Sequence, residues 1–173
     1  MFPARMTHHL QDAYASDFMG SARLPLEVVE SVRSDAWPSD LPLFVRVSAT
    51  DWVDGGWDLD QTVRLASELS RRGVDLVDCS SGGLVPNARI PVGPGYQVPF
   101  AERVRQEAGV ATGAVGRLTQ PAQANEVIRN GSADVVLLAK ELLRQPMWPL
   151  LAALELGEDP DWPKQYETAR PRP

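Results

Sequence analysis

Arg46 stands inside the apolar run LPLFVRVSA (41–49). A guanidinium in a buried strand is costly unless a carboxylate or an anionic ligand meets it. Two readings follow and both stay open: a structural ion pair with Asp51 or Asp78, or an arginine aimed into a site that holds negative charge. A second signal is GAVG (113–116), which ends another apolar run and can present backbone N–H groups close to a ligand. Glycines after strands also serve plain turns, so that segment alone says little. A third is Ala139-Lys140, where the last apolar run passes directly into a helical pattern. Loops after strands together with a helix N-terminus favour phosphate and other anions.

The remaining reactive side chains point to structure rather than chemistry. Cys79 is the single cysteine, which excludes an internal disulfide and a cysteine zinc cluster. No histidine lies near it, so it reads as a small buried residue. His8 and His9 are adjacent, diverge on any regular element, and read as solvated. Asp51, Asp54 and Asp58 lack the EF-hand pattern and read as turn and cap residues. No metal site and no catalytic residue is assigned. Lys plus Arg is 17 and Asp plus Glu 23, a net charge of −6, which argues against nucleic acid or an anionic membrane as partner. No apolar run approaches the roughly 20 residues of a membrane span. The opening MFPARMTHHLQDAYASD has no apolar signal-peptide core, so the expected setting is cytoplasmic.

The elements that must position these residues are legible from period and punctuation. The chain of 173 residues is sized for one domain. Residues 1–23 show no clean period and are expected to be irregular. LPLEVVESVR (24–33) reads as a helix with Pro25 in its first turn. LPLFVRVSA is a strand. Asp58, with Gln61 three residues on, predicts a capping box opening a helix that ends near Arg72 with Gly73 beyond it. VDLVDCS (74–80) is the next strand, followed by the long loop 81–99 and a helix over 100–109. A third strand covers 110–116. Thr119 is expected to cap a helix through Arg129, ended by Asn130-Gly131. A fourth strand covers 133–139, helical segments reach Gly157, and the Pro-rich tail 158–173 is expected to be extended. Strand–helix alternation with near-continuously apolar strands predicts a parallel sheet covered on both faces. That order fits an open doubly wound sheet or half of a (β/α)₈ barrel, since a whole barrel takes about 250 residues.

LFVRVSATDWVDGGWDLDQTVRLASELSRRGVDLVDCSSGGL (43–84) resembles the fifth and sixth βα units of the Old Yellow Enzyme family. PGYQVPFAERVRQEAGVATGAVGRLTQPAQANEVIRNGSADVVLLAKELLRQPMWPLLAALELG (94–157) is similar to the rest of that barrel. The likeness runs from about Leu24 to Tyr166. It implies a (β/α)₈ TIM-barrel family fold, here a partial barrel of about four parallel strands, numbers five to eight. It implies FMN as cofactor, with hydride passing from NADPH to flavin N5 and then to the β-carbon of an enone. By the same resemblance Arg46 matches the arginine beside the flavin N1/O2 edge. Gly116 and Arg117 match the phosphate-side loop after strand seven. Ala139 and Lys140 match a Gly-Arg or Ala-Arg pair after strand eight. The lysine keeps the charge and loses the planar fork. QYE (165–167) matches a signature near the family's C-terminus.

The resemblance also implies what is missing. The family's first four strands carry the groups beside flavin N5, the histidines that grip the substrate carbonyl, and the tyrosine proton donor; no such segment occurs here. The expected division is an irregular 1–23 without family match, a half barrel over 24–157 and a tail over 158–173. The expected chain is an oxidoreductase of this type lacking its N-terminal catalytic half. The alternative is a non-catalytic half barrel that at most binds phosphate ligands or self-associates. Open edges near 43–48 and 134–139 predict self-association or a complementary half barrel as partner.

Overall fold

Four strands lie side by side in the order β1-β2-β3-β4, every pair parallel: β1 (Phe44–Ser48), β2 (Leu76–Ser80), β3 (Ala111–Ala114) and β4 (Val135–Val136). The computed structural model describes residues 13–14, 17–84, 86 and 88–171. His8 and His9 lie outside the described residues. Parallel neighbours require a crossover, and helices supply each one: α2 (Leu59–Arg71), α3 (Val98–Ala108) and α4 (Pro121–Arg129). A longer helix, α1 (Phe18–Ser31), precedes the sheet, and two short ones, α5 (Lys140–Arg144) and α6 (Trp148–Glu155), follow it.

The register sorts the side chains into two faces. Val47, Cys79, Ala114 and Val136 share one row, and Arg46, Asp78, Gly113 and Val135 share the adjacent one. The first row faces the helices. Val47, Val77, Cys79 and Ala114 are buried in one cluster with Leu65 and Leu69 of α2, Val104 of α3 and Val127 of α4. The second row is exposed at its two ends, Arg46 and Val135, with Asp78 and Gly113 buried between them. Phe44, two residues before Arg46, is 59% exposed, and Val135 is exposed as well. The expectation of a sheet covered on both faces is therefore corrected: among the described residues helices cover one face only. Beside this row, Leu137 reaches across the space left by the missing side chain of Gly113.

The rim where the strands begin is fastened by paired charges. Arg33 donates to the Gly73 and Leu41 carbonyls and meets Asp75 at 2.6 Å, while Asp75 accepts the Leu43 N–H at 2.7 Å. Asp134 repeats the device before β4, taking the Thr112 N–H at 2.8 Å and Arg105 at 3.1 Å. Each carboxylate ties its own strand start to the neighbouring strand.

Local sequence explains most boundaries. Asp58 and Gln61 form the expected capping box, with bonds of 2.8 and 3.2 Å. Gly73 takes φ +82° just beyond α2. Several expectations are corrected. Residues 18–23 are helical, because Asp17 accepts the Gly20 N–H at 2.8 Å and opens α1 ahead of Leu24. Phe18, Ala22, Leu26 and Val29 then supply the stripe that packs against the core. Pro25 sits inside this helix rather than in its first turn, and α1 runs on into a wider π turn over Val32–Ala36. Thr119 does not cap α4; Pro121 takes the first helical position and Gln120 precedes it. The Thr119 carbonyl instead accepts the Trp148 indole N–H at 3.1 Å. The tail is not simply extended, since Lys164–Ala169 coils into a 3₁₀ turn.

The loop between β1 and α2 closes on Trp57, which is 1% exposed and stacks on Phe18 at 5.9 Å between ring centroids. Its indole N–H donates to Thr62 Oγ1 at 2.6 Å, and that hydroxyl donates to the Ala49 carbonyl at 2.9 Å. Asp51 accepts the Trp57 backbone N–H at 2.9 Å. A Cβ on Gly56 would lie 2.9 Å from the Asp51 Cβ, so the close turn needs glycine there. Thr62→Val keeps the shape and strands both the indole N–H and the Ala49 carbonyl. It is expected to lower stability by about 1–3 kcal/mol, read as a shifted urea midpoint at unchanged slope; an unaltered midpoint contradicts the assignment.

Candidate functional site

At the C-terminal ends of β3 and β4 lies a cleft of ≈ 680 Å³, lined among others by Gln97, Gly116, Arg117, Ala139, Lys140 and Arg144. Four of the five residues singled out from the sequence meet there: Gly116, Arg117, Ala139 and Lys140. The fold brings them together because β3 and β4 are parallel neighbours, so the loops leaving them share one rim.

The loop after β3 has an unusual backbone. Gly116 has φ +117° and Arg117, with a full side chain, has φ +54°. Left-handed backbone at a non-glycine residue costs energy and persists where surrounding structure holds it. Here the Gly95 N–H donates to the Gly116 carbonyl at 2.8 Å. A Cβ on Gly116 would fall 3.0 Å from Gln97 Nε2 and 3.2 Å from Gln97 Cβ. The loop is packed against the segment that leads into α3, and only glycine fits at its apex.

The charges of the cleft are free to act. Arg117 and Lys140 form no ion pair among the described residues, whereas Arg144 is taken up by Glu141 at 3.1 Å. Lys140 is the first residue of α5 and follows Ala139 without an intervening turn. Two cations without an ion-pair partner among the described residues make this rim locally positive on a chain of net charge −6. Gln97 is one of the lining residues that the sequence did not point to. Its only signal was a place between Gly95-Tyr96 and the Val98-Pro99 helix start.

Arg46 does not line the cleft. It lies on the open face of β1, where its Nε donates to Asp78 Oδ2 of the neighbouring strand. Of the two partners considered, Asp78 is the one; Asp51 belongs to the Trp57 loop. The guanidinium is half-exposed and Asp78 is buried. Burial raises the Asp78 carboxyl above its ordinary value, and Arg46 opposes the rise. Asp78 Oδ1 is buried without a hydrogen-bond partner. The arginine is held through Nε alone, and its two terminal nitrogens have no partner among the described residues. Cys79 points the other way, into the helix-side core, where burial and the Asp78 charge push its thiol up to about 12. It is a packed, unreactive thiol. Among the described residues no group of acidic, histidine or cysteine side chains could hold a metal ion, and no helix is long and apolar enough to cross a membrane.

Residues 2–158 match the model of the NADH:flavin oxidoreductase / NADH oxidase family. The chain belongs to that family. Among its relatives is the NADPH dehydrogenase of Halalkalibacterium halodurans, 46% identical over 168 residues, covering 97% of this chain and 48% of the relative. The NADPH dehydrogenase of Bacillus subtilis is 43% identical over 166 residues, covering 96% of this chain and 48% of the relative. The chain thus spans about half the length of the curated relatives it matches. Solved structures of similar fold include a 2-naphthoyl-CoA reductase complex, with TM-score 0.76, 21% identity and coverage of 90% of this chain and 24% of that one. Another is morphinone reductase in complex with tetrahydroNAD, with TM-score 0.63, 23% identity and coverage of 90% and 40%. The Old Yellow Enzyme resemblance and the partial (β/α)₈ barrel are borne out. The family match reaches back to residue 2, ahead of Leu24.

Removing Arg46 leaves the buried Asp78 carboxylate unpaired. Arg46→Ala is expected to cost about 1–3 kcal/mol near pH 7, short of a fully buried pair because the arginine is half-exposed. The sign with pH follows from the raised carboxyl. A folded pKa above 3.8 means that the folded chain binds the Asp78 proton more tightly than the unfolded one. Its contribution to stability is therefore greatest in acid and falls as pH rises through the folded value. Without the guanidinium that value climbs further, so the difference from wild type should shrink toward pH 4 and widen toward about pH 7. Urea unfolding across that range checks it; a difference independent of pH contradicts the pairing.

Proposed function

We propose that this chain supplies the cofactor-phosphate side of an FMN-dependent NADPH dehydrogenase of the ene-reductase type. The reading is carried by one observation: two cations that form no ion pair among the described residues, Arg117 and Lys140, share a cleft at the strand ends with a glycine apex no side chain can occupy. That donor set fits a phosphate monoester, which needs positive charge and close backbone approach. In this reading Gly116 and Arg117 hold the phosphate from the β3 side, and Ala139 and Lys140 from the β4 side. Arg46, kept in place by Asp78, turns its terminal nitrogens toward the flavin N1/O2 edge. Bound FMN would carry hydride from NADPH to the β-carbon of an enone. The chain's own residues orient the cofactor and place a fixed positive charge beside it.

The substrate-gripping and proton-donating groups of the family have no counterpart in this sequence. We therefore propose that turnover needs a complementary half barrel that brings those groups, set against the open face and the free edges of β1 and β4. The proposed setting is cytoplasmic, in keeping with a single free thiol and the absence of any disulfide.

Flavin fluorescence titration tests the cleft. The chain should bind FMN more tightly than riboflavin, which lacks the phosphate, and the preference should weaken with added salt. Arg117→Ala and Lys140→Ala should each reduce it by about tenfold, and Lys140→Arg should strengthen it through bidentate contact. Equal affinity for the two flavins overturns the reading. The chain alone, with NADPH and cyclohexenone, should show no useful turnover, since each missing positioned acid or base is worth about 10²–10⁴-fold.

A further inference from the structure

Gln97 lies just ahead of α3 and is 4% exposed, yet it forms part of the cleft wall. Its amide is oriented. Oε1 accepts the Ser81 hydroxyl at 3.2 Å, which fixes Nε2 on the other side. Nε2 faces the Gly116 apex, 3.0 Å from where a Cβ would stand, and the Ser81 bond to Oε1 is the only hydrogen bond of this side chain among the described residues. An amide N–H on the cleft wall that has no protein acceptor is available to a ligand there. Here the acceptor can come from the cleft.

Taking the anion reading of the cleft as its basis, we propose that Gln97 is a third ligand-binding residue, an uncharged donor to the phosphate oxygens alongside Arg117 and Lys140. The same side chain braces the loop. Its Cβ and Cγ pack under Gly116, and two residues earlier Gly95 donates to the Gly116 carbonyl at 2.8 Å. Ser81, leaving β2, thereby joins the loops of β3 and β4 in forming the site through Gln97. The ligand class is a phosphate monoester: a neutral donor adds direction without further charge, and two cations already match a dianion.

The test is a titration of the uniformly ¹⁵N-labelled full chain with inorganic phosphate, followed by backbone and side-chain amide resonances. The Gln97 side-chain NH₂ signals should shift together with the backbone amides of residues 116–117, with one shared affinity. Gln97→Glu, which keeps the size and sets a carboxylate against the anion, should weaken phosphate binding by about tenfold or more. Ser81→Ala, which frees the amide to rotate, should weaken it less. Thermal unfolding of both variants near that of wild type shows that the fold is kept. Shifts at 116–117 with a silent Gln97 side chain, or a Gln97→Glu variant that binds phosphate as wild type does, overturn the assignment of Gln97 while leaving the cleft as an anion site. No shift at 116–117 overturns the anion reading itself, and the Gln97 assignment with it.

Discussion

A parallel strand carries unsatisfied hydrogen-bonding groups along any side that lacks a neighbour, and a barrel removes the problem by closing on itself. Among the described residues β1 pairs only with β2, and β4 only with β3. The rest of the molecule can be understood from that constraint. The helix-side core holds the four strands as a wall, with Val47, Val77, Cys79 and Ala114 packed under α2, α3 and α4. The other face, with Phe44, Arg46 and Val135, has no covering layer among the described residues. In a closed barrel that face is the packed interior.

The two rims of the wall use charge differently. Where the strands begin, Arg33 and Arg105 are bound to Asp75 and Asp134, and both carboxylates also take a backbone N–H from the next strand. Those arginines hold the register. Where the strands end, Arg117 and Lys140 form no ion pair among the described residues, beside a loop in left-handed backbone. The contrast agrees with the general division of such barrels, stability at the N-terminal rim and ligands at the C-terminal one. Arg46 lies between the two regimes, paired with Asp78 through one nitrogen and open through the others.

Much of this was readable in the sequence because local signals and tertiary demands agree there. Asp58 with Gln61, Gly73 and Gly131 mark helix ends by backbone chemistry that needs no distant partner. Gly116, Arg117, Ala139 and Lys140 follow consecutive strands, so parallel pairing alone brings them to one rim. The misreadings fall mostly where a distant contact decides. Pro25 looked like a helix start, but the stripe from Phe18 through Val29 is held by the core, which outweighs one lost hydrogen bond. Thr119 looked like a cap, but Pro121 takes the first helical position and leaves the cap position to Gln120. Gln97 was invisible because neither its burial nor its approach to Gly116 leaves a mark in its neighbours' identities. The open face was hidden too, since apolar strands read the same whether a second layer is present or not.

The central proposal is that a second polypeptide surface, from another copy or a complementary half, covers the free edges and the open face. Light scattering coupled to size exclusion, at micromolar concentration, tests it most directly. The free edges and the exposed Phe44 face predict a dimer or larger assembly, well above the 19.0 kDa of one chain. A monodisperse species at 19.0 kDa would contradict the account.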